Sequence, residues 1–222
     1  MKKLRILHVV FNSTIEAYEI PAFRAGVAEK VGFENVLFHN HKNDDEFIYN
    51  YPLIQYMRVG RKPSILCIED GVEEIYKLFI HKNWNINMAG RDLVMEVSSL
   101  NLKDYTLRIT KDRLHYRISN WLALNQTNYK EFEGIESLTD RIEKLERILA
   151  ANILSFAKGI EWVIEKPIEI KITKLSPFKL LKYKGVLLSG FDAEFTVNVF
   201  LPNYMGLGKG VSHGFGTIKQ LD

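Results

Sequence analysis

The chain has 222 residues, of which 46% are hydrophobic, and a formal net charge of +3 at pH 7. This length allows one large domain or two small ones with a substantial core, and so small a net charge excludes an argument for a nucleic-acid partner from overall charge alone. The sequence has no apolar run long enough to span a bilayer and no signal-peptide cleavage site near its N-terminus. We therefore expect a soluble, cytoplasmic protein with no membrane partner. The single cysteine, Cys67, excludes an intramolecular disulfide and a thiolate zinc cluster.

The first half of the chain alternates short strands with short helices. In chain order, the patterns predict a buried strand, a helix, a strand, a hairpin, an amphipathic helix and a strand at residues 4–11, 21–30, 35–39, 53–68, 72–79 and 93–97. Pro21 suits the first turn of the predicted helix. This order matches a ferredoxin-like α+β module with an extra hairpin.

The second half repeats this arrangement around a long helix. Strands are predicted at 106–109 and 113–118, with a turn at 111–112, and alternation in the second strand gives it one apolar and one basic face. The helix begins with a capping box at Ser137 and continues to Ile160, and strands follow at 168–175, 180–188, 194–200 and 217–219. We predict an α+β fold of two tandem ferredoxin-like (RRM-like) domains, residues 1–102 and 103–222, the second with a C-terminal glycine-rich loop at 206–216.

The glycine-rich loop has five glycines in eleven residues. Leu207, Val211 and Phe215 between the glycines are typical of a loop anchored to a core and not of a linker, and the spacing fits neither a Walker loop nor a dinucleotide fingerprint. Glycines let the backbone approach a ligand while its amides stay available, which suits a phosphate backbone. The alternative is a glycine-rich hairpin end with no ligand. The predicted phosphate-binding residues are Gly206, Gly208, Lys209, Gly210, Ser212, His213, Gly214 and Gly216.

The loop pattern Gly-x-Gly-x5-Gly-Phe-Gly, from Gly206 to Gly216, resembles the signature loop of the RAMP superfamily of CRISPR proteins. Within that superfamily, the blocks Phe-His-Asn-His at 38–41 and Tyr-Pro-Leu-Ile-Gln-Tyr at 51–56 resemble the b-subtype of the CRISPR repeat-processing endoribonuclease. The resemblance spans most of the chain. The glycine pattern specifies the superfamily, and the two blocks specify the endonuclease.

This resemblance implies cleavage of CRISPR precursor RNA within each repeat, without a metal or another cofactor. The 2'-hydroxyl upstream of the scissile phosphate attacks it, which leaves a 2',3'-cyclic phosphate and a 5'-hydroxyl. Such chemistry needs a base, an acid and a cation beside the phosphate. The implied partner is the repeat RNA, and proteins of the interference complex and a second copy of the chain are further candidates. The alternative function is that of a non-catalytic RNA-binding RAMP subunit of an interference complex.

The candidate catalytic residues lie around the block at 38–41. His39 and His41 are one residue apart, so both rings share one face if the strand predicted from Val36 continues through them. Histidine titrates near neutrality and can act as acid or base. The resemblance implies two further roles: Lys30 would steady charge on the phosphate, and Tyr49 would orient the 2'-hydroxyl or a histidine.

Several alternatives remain open at this block. The histidine pair could be a surface feature with no role, His213 is a rival catalytic histidine, and Tyr51 could take the place of Tyr49. The pair could also bind zinc or manganese with Asp44, Asp45 and Glu46, in a metal-dependent phosphoesterase.

A second set of candidate RNA-binding residues flanks the tight turn at Gly60. Arg58, Arg61 and Lys62 could reach a repeat hairpin or its single-stranded flank. The alternative for these residues is an ordinary solvated turn.

Overall fold

The computed structural model describes residues 1–43, 46–47 and 50–222, and for 41–43 and 46–47 it describes the backbone. The chain divides into two units. The N-terminal unit comprises Lys3–Thr106 and Ser212–Gly214, and the C-terminal unit comprises Met1–Lys2, Leu107–Val211 and Phe215–Asp222. The domain boundary between residues 102 and 103 stays a prediction.

The N-terminal unit is built on a four-stranded sheet in the order β4-β5-β1-β8. Its elements are β1 (Lys2–Phe11), α1 (Ile20–Val31), β2 (His41–Asn43), β3 (Glu46–Phe47), β4 (Ile54–Val59), β5 (Lys62–Ile68), α2 (Asp70–Glu74), α3 (Tyr76–Phe79), β6 (Ile86–Met88), β7 (Arg91–Leu93) and β8 (Val97–Leu107), with 3-10 turns at Ala17–Glu19 and Val36–Phe38. The β5 strand pairs antiparallel with both β1 and β4. Alternate residues of β1 pack against α1 in one core. The fully buried members include Val9 and Phe11 of β1 and Phe23 and Val27 of α1.

The C-terminal unit repeats this strand order, as β10-β12-β9-β13 with β11 paired to β12. Its elements are β9 (Ile109–Trp121), α4 (Gln126–Glu133), α5 (Leu138–Gly159), β10 (Ile170–Leu175), β11 (Lys179–Tyr183), β12 (Val186–Val199), a 3-10 turn (Val211–His213) and β13 (Thr217–Gln220). In both units the first and third strands of the ferredoxin-like order lie at the centre of the sheet. The connection from β12 to β13 has no α-helix in its described residues, because the glycine-rich loop takes that place.

The α5 helix confirms the clearest helix prediction. The Ser137 hydroxyl accepts a hydrogen bond from the Asp140 amide at 3.3 Å, so Ser137 caps the helix as its sequence predicts. One face of α5 is fully buried, and Leu145, Leu149, Ile153 and Phe156 lie on it. None of the helices in the described residues is long and apolar enough to cross a membrane.

Several strand predictions were wrong in detail. The run at 35–39 is not a strand, because the Asn35 side chain donates to the Val31 carbonyl at 2.6 Å and closes a 3-10 turn after α1. Residues 111–112 form no turn, since β9 runs through them and pairs with β12 as far as Ile109. Here the sheet ladder overrides the local turn preference of Lys-Asp.

Two further strand predictions failed at turns. The predicted strand at 180–188 is a hairpin, because Lys184 and Gly185 take φ values of 50° and 82° between β11 and β12. Two successive residues with positive φ fit the twist of a tight hairpin. The strand predicted at 93–97 is interrupted between β7 and β8.

Asp192 joins three strands of the C-terminal unit. Its carboxylate accepts hydrogen bonds from Lys179 Nζ at 2.6 Å and from the Asn120 amide at 2.7 Å, and its own amide donates to Ser176 Oγ at 2.9 Å. Partial burial raises the pKa of this carboxyl, but the hydrogen bonds and the charges of Lys179 and Arg117 outweigh burial and lower the pKa below its usual value. The ionised carboxylate therefore stabilises the fold.

We expect Asp192→Asn to lower the free energy of unfolding at pH 7 by about 1 kcal/mol, because the charge-assisted bonds weaken. A lowered folded-state pKa gives stability that is present above the unfolded pKa of about 3.9 and is lost as pH falls through the folded value. The difference from wild type should therefore shrink toward pH 3. Urea unfolding at both pH values measures it, with the exposed Asp112→Asn as control. Equal losses at both pH values would contradict this account.

Candidate functional site

Backbone hydrogen bonds hold the glycine-rich loop, two of them within the loop and two to residues at or just after the end of β9. The amides of Leu207, Lys209, Phe215 and Gly216 donate to the carbonyls of Gly216, Leu122, Gly210 and Asn120, at 2.9–3.4 Å. These four amides already have protein partners, so the expectation that the loop amides stay available was wrong for them. The two ends of the loop pair with each other, since the Leu207 amide donates to the Gly216 carbonyl. Side chains must therefore make a larger share of any phosphate contact than the sequence suggested.

Gly216 and Gly208 show why the loop needs glycine. A Cβ on Gly216, where φ is +65°, would lie 1.9 Å from the Leu207 carbonyl oxygen. A Cβ on Gly208, where φ is +93°, would lie 2.9 Å from Trp121 Nε1 and 3.0 Å from Asn152 Oδ1. Both glycines thus combine a left-handed backbone with a close approach, so any side chain there would be strained. Glycine content here is explained by packing, whether or not a ligand binds.

The apolar residues of the loop anchor it as predicted. Leu207 and Val211 are buried, and the Phe215 ring packs edge-on against Tyr183 with ring centroids 5.7 Å apart. Lys209 is exposed, and its Nζ lies 5.5 Å from the centre of the Tyr183 ring. Lys184 Nζ lies 6.0 Å from the same centre.

Tyr183 is a candidate binding residue that sequence reasoning missed. It places an aromatic ring beside two ammonium groups, the combination with which proteins bind bases and phosphates of single-stranded nucleic acid. The sequence signal for this residue is the triplet Lys182-Tyr183-Lys184, an aromatic residue between two lysines within the predicted strand at 180–188.

The 212–214 segment of the loop belongs to the N-terminal unit. Ser212 Oγ lies 3.2 Å from His213 Nδ1. The Cβ that Gly214 lacks would lie 3.2 Å from the Tyr56 carbonyl oxygen and 3.1 Å from Ile20 Cδ1. This segment therefore covers one side of β4, and the RNA-binding roles of its residues stay predictions.

His39 lies at the end of the 3-10 turn in a well-defined setting. Its Nε2 is 2.6 Å from the Phe33 carbonyl oxygen, and its ring packs edge-on against the Phe33 ring at 5.9 Å. Arg24 donates to the His39 carbonyl, and the Tyr56 hydroxyl donates to the Phe38 carbonyl at 3.1 Å. The ring and the backbone of this residue are thus both fixed. Phe33, with 65% of its surface exposed, is an aromatic neighbour that the sequence analysis did not single out.

The geometric argument for a histidine pair on one strand face was wrong. His39 has φ −134° and ψ −7° after the 3-10 turn, and Asn40 is left-handed with φ 56°, so β2 begins only at His41. The side chain of His41 and the whole of Tyr49 lie outside what the structure describes. Lys30, in the last turn of α1, donates to Asn83 Oδ1 at 3.1 Å. The catalytic roles of all four residues stay predictions.

Tyr51, the alternative to Tyr49, accepts a hydrogen bond from Gln55 Nε2 at 2.9 Å. Burial raises the pKa of its phenol well above the usual value, and the bond from Gln55 offsets this only in part. Tyr51 therefore keeps its proton near neutrality. It could orient a group but could not serve as a base.

Arg58 and Arg61 are brought together by a carboxylate that the sequence did not reveal. Arg58 donates to Glu16 Oε2 at 3.1 Å and to the Ile15 carbonyl at 3.3 Å, and Arg61 donates to Glu16 Oε1. Glu16 stands more than forty residues before its partners. No local pattern could have indicated this pairing.

Lys62, the third predicted residue of this turn, is held by neutral groups. Its Nζ donates to Asn12 Oδ1 at 3.1 Å and to Ser98 Oγ at 3.0 Å. All three cations of the turn thus have partners within the protein, and their RNA-binding roles stay predictions.

Metal ligation was the open alternative for the histidine block. Among the residues that the structure describes, no three His, Cys, Asp or Glu side chains come together as metal ligands. Asp44 and Asp45, two of the donors in that alternative, lie outside the described residues. The alternative therefore stays open.

Comparisons with known proteins cover almost the whole chain. Residues 2–106 match the Cas6b N-terminal domain, and residues 108–221 match the Cas6b C-terminal domain. A crystal structure of Cas6b is similar with a TM-score of 0.91 and 29% identity over 99% of this chain and 100% of that one. A crystal structure of the CRISPR RNA processing endoribonuclease Cas6b has a TM-score of 0.75 and 26% identity over 99% and 100%. An uncharacterized protein of Methanocaldococcus jannaschii is 32% identical over 146 residues, 59% of this chain and 98% of that protein.

These similarities confirm the tandem ferredoxin-like fold and the RAMP resemblance. Both family domains match in their natural order, each over one half of the chain. The chain belongs to the Cas6b family.

Proposed function

We propose that this chain is a metal-independent endoribonuclease that cleaves CRISPR precursor RNA within its repeats. The observation that carries the proposal is the full-length similarity, at 26% identity, to a CRISPR RNA processing endoribonuclease, together with the match of both Cas6b domains. The repeat RNA is the substrate and the partner. Proteins of an interference complex and a second copy of the chain remain predicted partners.

In the proposed reaction the 2'-hydroxyl upstream of the cut attacks the adjacent phosphorus. A base removes the hydroxyl proton, the bond to the 5'-oxygen breaks, and an acid protonates that oxygen. The products are a 2',3'-cyclic phosphate and a 5'-hydroxyl, so the RNA supplies its own nucleophile. The protein must supply proton transfer and a cation beside the phosphorane.

The setting of His39 suits proton transfer. A carbonyl oxygen only accepts, so the contact with Phe33 places a proton on Nε2 of His39. We propose His39 as the base or the acid of the reaction, because an imidazole can accept or donate a proton near neutral pH. Lys30 is the proposed cation, with His41 and Tyr49 as the proposed partners of His39.

We expect the purified protein to cleave an end-labelled CRISPR repeat RNA in the presence of EDTA. A single 2'-deoxy substitution just upstream of the cut should abolish cleavage, because it removes the nucleophile. Denaturing gel electrophoresis resolves the products, and the 3' end of the upstream product should accept a label only after its cyclic phosphate has been removed.

Each other outcome of this assay supports a different function. Tight binding of repeat RNA without cleavage would favour the non-catalytic RAMP subunit. Activity that appears only with added divalent metal would favour the metal-dependent phosphoesterase, with His39 and His41 as ligands.

We expect His39→Ala to lower the single-turnover cleavage rate about 10²- to 10⁴-fold while RNA affinity changes little, because the variant removes proton transfer and leaves the charged residues in place. The matched control is His81→Ala, in the segment after α3 with no proposed role. The measurement is single-turnover cleavage with saturating protein. Full activity of His39→Ala would exclude His39 as base or acid and bring His213 forward.

We expect Lys209→Gln to weaken binding of repeat RNA about threefold and to reduce the slope of log Kd against log salt concentration by about 0.7 to 0.9, since one phosphate contact is lost. Fluorescence anisotropy over a potassium chloride series measures both quantities. The exposed Lys166→Gln removes the same charge elsewhere and should leave the slope nearly unchanged. Equal effects of the two variants would mean that Lys209 contributes only net charge.

A further inference from the structure

Glu16 lies between two guanidinium groups of the N-terminal unit. Its Oε2 atom accepts from Arg58 at 3.1 Å, and its Oε1 atom accepts from Arg61. The two arginines stand on β4 and in the turn that follows it, so they reach the same carboxylate from positions three residues apart. Each oxygen of one carboxylate thus has its own arginine.

The chemistry of this arrangement is that of an oxyanion site. A guanidinium offers its N–H groups in a planar fork that matches the oxygens of a carboxylate and those of a phosphate equally well. A pair of arginines that converges on a carboxylate is therefore spaced to converge on a phosphate group. In this structure the Glu16 carboxylate takes the place that a phosphate could occupy between the two arginines.

The surrounding charges favour an anion at this site. Two arginines and one glutamate carry a net charge of +1, and the neighbouring Lys62 is held by the neutral oxygens of Asn12 and Ser98. The nearby Glu19 accepts from the Glu16 amide at 2.7 Å, and its negative charge is balanced by Arg91 at 2.8 Å. With Glu16 displaced into water, the guanidinium groups of Arg58 and Arg61 would face a single ligand.

The exposure of the three partners allows such an exchange. The Glu16 side chain is 40% exposed, and those of Arg58 and Arg61 are 27% and 69% exposed. Ion pairs this accessible to water are weak, since water and salt screen them. A polyanion that brings several phosphates can compete with a single carboxylate.

We infer that Arg58 and Arg61 form a site for a phosphate of the RNA, and that Glu16 occupies this site in the absence of RNA and so limits the affinity for RNA. The inference rests on the proposed RNA-processing function. It assigns Glu16 a positioning role: it holds the two arginines together before RNA arrives, and it must leave them when RNA binds.

The test is Glu16→Gln, which keeps the size of the side chain and removes its charge. The probe is the repeat RNA with the single 2'-deoxy substitution, so that binding is measured without cleavage, by anisotropy over a potassium chloride series. We expect Glu16→Gln to bind about fivefold more tightly than wild type, with a slope of log Kd against log salt steeper by about 0.7 to 0.9.

Two further variants separate the site from general charge. Glu73→Gln removes a carboxylate that pairs with Arg5 at 2.7 Å, away from this turn, and should gain much less affinity. In a background of Arg58→Gln with Arg61→Gln, Glu16→Gln should have little effect, because the site it vacates is gone. Thermal unfolding of each variant identifies any that is not folded, and the Glu73→Gln comparison stands independently of the arginine double variant.

The inference is overturned if Glu16→Gln binds RNA no more tightly than wild type, or if Glu73→Gln gains as much. Weaker binding by Glu16→Gln would also overturn it, since Glu16 would then only support the fold of the turn. Wild-type protein that neither binds nor cleaves repeat RNA would instead overturn the proposed function, and with it the basis of the inference.

Discussion

The position of the glycine-rich loop depends on a hydrogen bond beneath it. The fully buried Trp121, at the end of β9, donates from its indole Nε1 to Asn152 Oδ1 of α5 at 2.9 Å. Gly208 packs on this pair so closely that a Cβ would lie 2.9 Å from Nε1 and 3.0 Å from Oδ1. An indole N–H left without its acceptor in a core costs about 1–3 kcal/mol, so this contact is strongly specified. One polar bond thus joins the strand to the helix at the place where the loop packs on both.

The connection that contains the glycine-rich loop also replaces a helix of the ferredoxin-like fold. In a ferredoxin-like unit a helix normally joins the third and fourth strands and covers the sheet. Between β12 and β13 that cover is provided by buried apolar residues of the connection, namely Leu201, Met205, Leu207 and Val211. Because these residues are core residues, the exposed Lys209 between them is carried on a well-anchored backbone. A segment that binds a ligand can be rigid here without being regular secondary structure.

The sequence predicted what depends on neighbouring residues and missed what depends on distant ones. Helix α5 was predictable because its cap and apolar spacing are local, and the loop anchors were predictable because Leu207 and Val211 interrupt the glycines. The 3-10 turn before His39 was not, since a short apolar run fits a strand equally well until the Asn35 side chain closes the turn. The loop amides and the Glu16 pairing could not be predicted, because their partners lie across the fold. The candidate site was therefore predicted as a set of residues, and its geometry was not.

The assignment of Ser212–Gly214 to the N-terminal unit affects how that unit can form. Its other residues end at Thr106, so ribosomal synthesis delivers them long before the segment that covers β4. During translation the Tyr56 carbonyl side of β4 lacks the cover that this segment supplies, and uncovered strand edges can pair with other chains. The N-terminal unit is complete only after nearly all of the second half has been synthesised, because it includes Ser212–Gly214. We expect this interval to be the period of greatest exposure to aggregation, and expression of the first half alone to prolong it indefinitely.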